Sequence, residues 1–169
     1  MGVTIHFEGK LRDSDSLQQV ISFATEFAER FDWPWQKLNE QNVKLKRVRN
    51  EQDWDYEGPV EGLVIYPHND CDPLRLEFDQ DFYIQEYCKT QFAGREFHVR
   101  IVELLRDISK YFSFLDVFDE SEFWETGDVD VLDRHLSNFY LALNDELKKY
   151  PNAKIKVKLP SGRIIDLMT

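Results

Sequence analysis

The stretch from Glu61 to Gln91, EGLVIYPHNDCDPLRLEFDQDFYIQEYCKTQ, decides how this chain folds. Leu63, Val64, Ile65 and Tyr66 form an apolar run. Leu74, Leu76 and Phe78 alternate with Arg75, Glu77 and Asp79, and Phe82 to Cys88 is rich in aromatic and branched residues. Strand side chains point to opposite faces in turn, so the alternating run reads as half-buried and the other two as its neighbours. A Pro/Asn/Asp loop and a tight Asp-Gln-Asp turn join them, which predicts three antiparallel strands.

Upstream, Val43 and Leu45 alternate with Lys44 and Lys46, a further strand over 43–48. From Glu51 to Glu61 the chain is acidic and turn-rich and reads as a surface loop carrying Trp54 and Tyr56. Leu17, Val20, Ile21, Ala24, Phe27, Ala28 and Phe31 recur at helical spacing. Ser16, three residues before Gln19, has the spacing of a capping box. Pro34, between Trp33 and Trp35, stops that helix. Val3 to Leu11 alternates as a half-buried strand.

Downstream, Phe97, Ile101, Leu104, Leu105, Ile108 and Phe112 mark a second helix, from about Gly94 to Tyr111. Leu115, Val117 and Phe118 suggest a strand, and residues 119–128 form a second acidic loop, with Trp124 and Glu125. Thr126 or Asp128 caps a third helix with the face Leu132, Leu136, Phe139, Leu143 and Leu147. Ile155, Val157 and Leu159 alternate with lysines in a closing hairpin that turns at Pro160-Ser161-Gly162. The order predicts a single α+β domain over residues 1–169, a sandwich of mostly antiparallel sheet with three helices packed on it. It also allows a ferredoxin-like core with additions.

Charge narrows the functional classes. A net charge of -11 argues against a nucleic-acid binder and against docking on an anionic membrane. Thirteen Phe, seven Tyr and four Trp need a core or a partner. The charge is also segregated. Seven acids and no Lys or Arg lie between Asn50 and Leu74, whereas Lys148 to Arg163 holds six basic residues and no acid. Like charges directly opposite are destabilising, so the Lys44/Lys46 row should not pair with Lys154/Lys156/Lys158. Cys71 and Cys88 lack CxxC spacing, and the N-terminus has no signal-peptide pattern, so a cytoplasmic setting with reduced thiols is expected.

Phosphate-loop, dinucleotide, zincin, nucleophile-elbow and EF-hand signatures are all absent, and no cofactor is expected. His68, Asp70 and Cys71 are ligand types for a borderline metal, but they show no repeated ligand spacing and read as loop residues, so no metal is expected. Two classes of function follow. A protein-binding module, of which a toxin-neutralising immunity protein is one example, would use Trp54, Tyr56, Trp124 and Glu125 to hold an unidentified protein partner, and the acidic loops suit a basic one. An enzyme or small-molecule binder would use a site near the central strand ends, with Tyr66, His68, Glu86 and Cys88.

Overall fold

The computed structural model describes residues 2–169. Asp13 opens the first helix, α1 (Ser14–Arg30), and accepts the Ser16 N–H at 2.8 Å. The cap thus lies three residues before the expected Ser16. That backbone bond lowers the Asp13 pKa, as befits a carboxylate at a helix N-terminus. The strand before it is β1 (Thr4–Leu11). β2 (Trp35–Leu45) begins directly after Pro34, earlier than the 43–48 strand expected from sequence. Its first half is polar because it is an outer strand with no face to bury.

The predicted loop 51–61 is largely strand. β3 (Val48–Arg49) and β4 (Gln52–Asp53) make a small ladder, and β5 (Tyr56–Ile65) starts at Tyr56. Pro59 sits inside β5, where it can donate no hydrogen bond. β2 shifts register between Glu40 and Val43, at the point where Pro59 would need a partner, and β6 extends only as far as Glu61. β6 (Leu74–Phe78), β7 (Tyr83–Lys89), α2 (Arg95–Ile108), β8 (Phe112–Asp119), the one-turn α3 (Phe123–Thr126), α4 (Val129–Lys149), β9 (Lys154–Lys158) and β10 (Ile164–Met168) complete the α+β fold. Asp128 caps α4 by accepting the Asp130 N–H at 2.9 Å.

The two larger sheets are antiparallel, with orders β2-β5-β6 and β7-β1-β8. They meet at the β6–β7 hairpin, which is bonded at its ends. Asp79 N–H donates to Tyr83 C=O and Asp72 N–H to Lys89 C=O, each at 3.0 Å. Across that seam, β8-β1-β7-β6 with helices after β1 and β7 follows a ferredoxin-like strand order. The open ladder keeps this an analogy of order. The lysine rows are apart: Lys44 lies opposite Glu57, and β9 pairs with β10.

The main core fills the space between the sheets and α1 and α2. It includes Ile5, Phe7, Leu17, Ile21, Phe27, Leu76, Phe78, Ile101 and Leu105, all buried. Leu132 and Leu136 of α4 join it. Further along α4, Phe139 and Leu143 meet Phe92 and Ile164 in a second cluster that seats the β9–β10 hairpin.

Candidate functional site

Alternation along β1 sends Ile5 and Phe7 into the core and leaves His6, Glu8 and Lys10 on the opposite, outer face. The strand registers set three cross-strand rows there: Tyr87–His6–Phe118, Gln85–Glu8–Asp116 and Tyr83–Lys10–Phe114. An acidic row therefore lies between two aromatic ones. Phe118 is 64% exposed, and Phe114 and Tyr87 are exposed as well. The His6 ring lies 5.7 Å from Phe118 and 6.1 Å from Tyr87, and its Nε2 is 3.1 Å from Glu120. Glu8 and Asp116 are directly opposite each other, an arrangement that disfavours the free protein.

Two walls turn this face into a groove of about 1340 Å³. The first wall runs from Lys44 to Asp55. Arg47 fixes it through a buried 2.8 Å ion pair with Asp79 and a 3.2 Å bond to Tyr83 C=O. The Gln85 side chain closes both backbone groups of Val48 at 2.8 Å. The second wall is the β9–β10 turn, with Leu159, Ser161 and Arg163. Asp72 anchors it by accepting the Ile164 N–H at 2.8 Å and the Lys89 N–H at 3.0 Å. Burial raises the Asp72 pKa, against the pull of those two bonds.

At the seam, Glu86 of β7 faces Glu77 of β6. Arg163 donates to Glu86 at 2.6 Å, and Arg75 donates to Glu77 at 3.0 Å. Burial first, and the neighbouring Glu77 second, push the Glu86 pKa up to about 8 despite Arg163. Burial and the neighbouring Glu77 thus favour the protonated form of Glu86, which lines the groove and in that form can donate a hydrogen bond or a proton. The Arg163 pKa is raised: burial opposes this, but the charges of Glu86, Tyr87 and Asp72 outweigh it.

The residues expected from sequence do not form one site. Trp54 and Tyr56 stand beside the first wall, both half-buried. Arg49 covers the Trp54 ring at 3.4 Å, Arg47 lies 5.2 Å from the Tyr56 ring, and Trp54 packs edge-on against Tyr83 at 5.4 Å. Trp124 and Glu125 sit on α3, past the opposite end of β1. The Arg106 guanidinium lies 4.3 Å over the Trp124 ring, which packs on the core edge. Both tryptophans therefore have an arginine over the ring, Arg49 from the adjoining β3 and Arg106 from α2.

The second expected set is divided as well. Tyr66 and His68 are exposed, and His68 packs on Phe97 of α2 at 4.8 Å, away from Glu86. Its Nδ1 accepts the Asp70 N–H at 2.9 Å, while Asp70 lies 3.6 Å from Lys156. Cys71 and Cys88 are both buried, with their Sγ atoms 3.9 Å apart. Cys71 and burial raise the Cys88 pKa well above the usual thiol range, which opposes a nucleophilic role. Of this set, Glu86 alone lines the groove.

A buried cluster escaped sequence reading. His98 Nδ1 is 2.7 Å from Thr90 Oγ1, and its Nε2 is 3.0 Å from both Asp119 and Ser121 Oγ. A Ser-His-Asp triad needs serine and aspartate on opposite ring nitrogens, with access to substrate. Here both meet Nε2 and all are buried, so the cluster ties β8 to α2. Burial opposes the ionised Asp119, but bonds from His98 and Ser121 prevail and lower its pKa. The outer-face residues Phe114, Asp116 and Phe118 were legible only as every second residue of FLDVF, a pattern masked by Leu115 and Val117.

The chain matches no protein-family model, no curated protein and no solved structure at a significant level. Among the described residues, no helix is long and apolar enough to cross a membrane.

Proposed function

We propose that this protein is a protein-binding module that receives a basic partner on the outer face of the β7-β1-β8 sheet. The observation that carries the reading is the acidic row Glu8–Asp116 between Phe118 and Phe114, both exposed on a rigid sheet. Exposed aromatic anchors are typical of interface centres, and a basic side chain between the two carboxylates relieves their repulsion. Nucleic acid and anionic membranes do not suit such a face. A cytoplasmic setting belongs to this reading and fits two unbridged thiols only 3.9 Å apart.

The test is capture of the partner from the native cell by the purified chain and by Phe118→Ala. Phe118 is largely in solvent, so its removal should change stability by no more than about 0.5 kcal/mol while capture is lost. Undiminished capture by Phe118→Ala removes the reading.

Glu86 favours a second reading, a small-molecule binder or enzyme that uses its proton in the same groove. Under that reading Glu86→Gln abolishes ligand turnover or binding while Phe118→Ala leaves it intact.

A further inference from the structure

We infer that the free edge of β8 takes an extended, Lys/Arg-bearing segment of the partner protein as a fourth strand of the β7-β1-β8 sheet. This rests on the outer face being a protein-binding surface, and it names the mode of binding and the chemistry of the partner.

The sheet edges differ in how they are protected. β2 carries a register shift and the lysines Lys37 and Lys44. β9 carries Lys154, Lys156 and Lys158, and Lys156 sits in the left-handed region at φ 55°. Bulges and lysines are the usual means of preventing strand addition. β8 has no Lys, Arg or Pro; its register shift is confined to its start, at Ser113, and its pairing with β1 is regular from Phe114 to Asp119. Among the described residues, its other side has no strand neighbour.

The backbone groups that face outward can be named. Glu120 N–H donates to Thr4 C=O at 3.1 Å, which fixes the phase of the β1–β8 ladder. Antiparallel residues alternate between bonding their neighbour and facing away from it. Phe118, Asp116 and Phe114 therefore bond to β1, while Leu115 and Val117 present N–H and C=O outward. Among the described residues, no backbone bond outside the β1 ladder uses them.

Charge selects the occupant. In a two-fold pairing of two β8 edges centred on Asp116, that residue would meet its own copy, a like-charge contact that disfavours a second chain. A strand with Lys or Arg opposite Asp116 instead meets Asp116 with Glu8 behind it, and apolar positions opposite Phe114 and Phe118 meet the rings. Backbone bonds supply affinity in this mode, and alternate side chains supply selection.

The probe is a synthetic heptapeptide, a typical strand length, Thr-Val-Thr-Lys-Thr-Val-Thr, whose alternate residues Val, Lys and Val share one face and can lie opposite Phe118, Asp116 and Phe114. It is added to the full chain at low salt, with amide hydrogen exchange followed residue by residue. A second peptide is identical but methylated on every backbone nitrogen. At a free concentration about ten times its Kd, the first peptide should slow exchange at Leu115 and Val117 by about tenfold. The methylated peptide should not bind, and Asp116→Lys should lose the first peptide. Equal binding by the methylated peptide, or binding that leaves both amides unprotected, overturns strand addition while the outer-face reading stands. Absence of binding up to about 1 mM also overturns it; capture of the cellular partner, sensitive to Phe118, then decides the broader reading separately. Protection of the same amides by self-association without peptide assigns the edge to a second copy and overturns the inference.

Discussion

Arg163 of the closing hairpin donates to Glu86 of β7 at 2.6 Å, yet the Glu86 pKa is raised to about 8. Burial beside Glu77 outweighs the arginine. A glutamate in the unfolded chain titrates near 4.5, so between 4.5 and about 8 the folded state binds more protons than the unfolded state. Stability therefore falls as pH rises through that window and levels off above it, with a slope of at most roughly 1.4 kcal/mol per pH unit from this group. Glu86→Gln, which imitates the protonated acid, should flatten the slope and be more stable than the parent at pH 8. Urea denaturation between pH 5 and 9 measures this; parallel curves for parent and variant would place Glu86 among ordinary carboxylates.

Asp72 sets the position of the groove's second wall. It is fully buried, accepts two backbone N–H groups and lies 3.7 Å from Arg163. Asp72→Ala leaves both backbone donors without a partner, while Arg163 keeps Glu86 and the Tyr87 carbonyl, so the expected cost is about 1–3 kcal/mol for each unsatisfied donor. The 154–168 hairpin should also become the first site of proteolytic cleavage. A loss under about 1 kcal/mol would mean that the Phe92–Ile164 cluster alone seats the hairpin.

Much of the fold was legible because burial and periodicity agree in its central elements. Leu74, Leu76 and Phe78 alternate and are buried, and α1 and α2 bury the faces their spacing defines. β2 and the start of β5 were obscured for the opposite reason: an outer strand with two wet faces has no pattern to display, and Gly58-Pro59 imitates a turn. The groove was illegible because it depends on register. Glu8 and Asp116 are 108 positions apart in sequence and meet only through β1–β8 pairing. Glu77 and Glu86 were each visible, but their coupling arises at the open seam between β6 and β7.

The acidic loops give a sharp test of where binding energy resides. Trp124 packs on the core edge beneath Arg106, and Trp54 is held between Arg49 and Tyr83. Replacing either with alanine should cost about 1–3 kcal/mol, from lost packing and cation–π contact. Trp124→Ala should leave partner capture intact, since α3 lies past the far end of β1 from the first wall. Thermal denaturation and capture on the same samples separate the two effects. Lost capture with unchanged stability would return the binding surface to the α3 loop.

Asp116 offers the strongest separation of function from folding. It faces Glu8 across β1–β8 with no cation in its row, and Gln85 reaches Glu8 only at 3.4 Å. A directly opposed like-charge pair costs the free protein roughly 0.2–1 kcal/mol relative to a neutral one. Asp116→Lys converts repulsion into attraction, so the variant should be more stable than the parent by about that amount, with the gain shrinking at high salt. It also places a cation where the partner's cation belongs, so capture should be lost. A substitution that stabilises a protein while removing its binding marks a residue kept for function at the expense of stability. Chemical denaturation at low and high salt, paired with capture, reads both halves. If Asp116→Lys is less stable than the parent by more than about 1 kcal/mol, the carboxylate is structural and the acidic row loses its role.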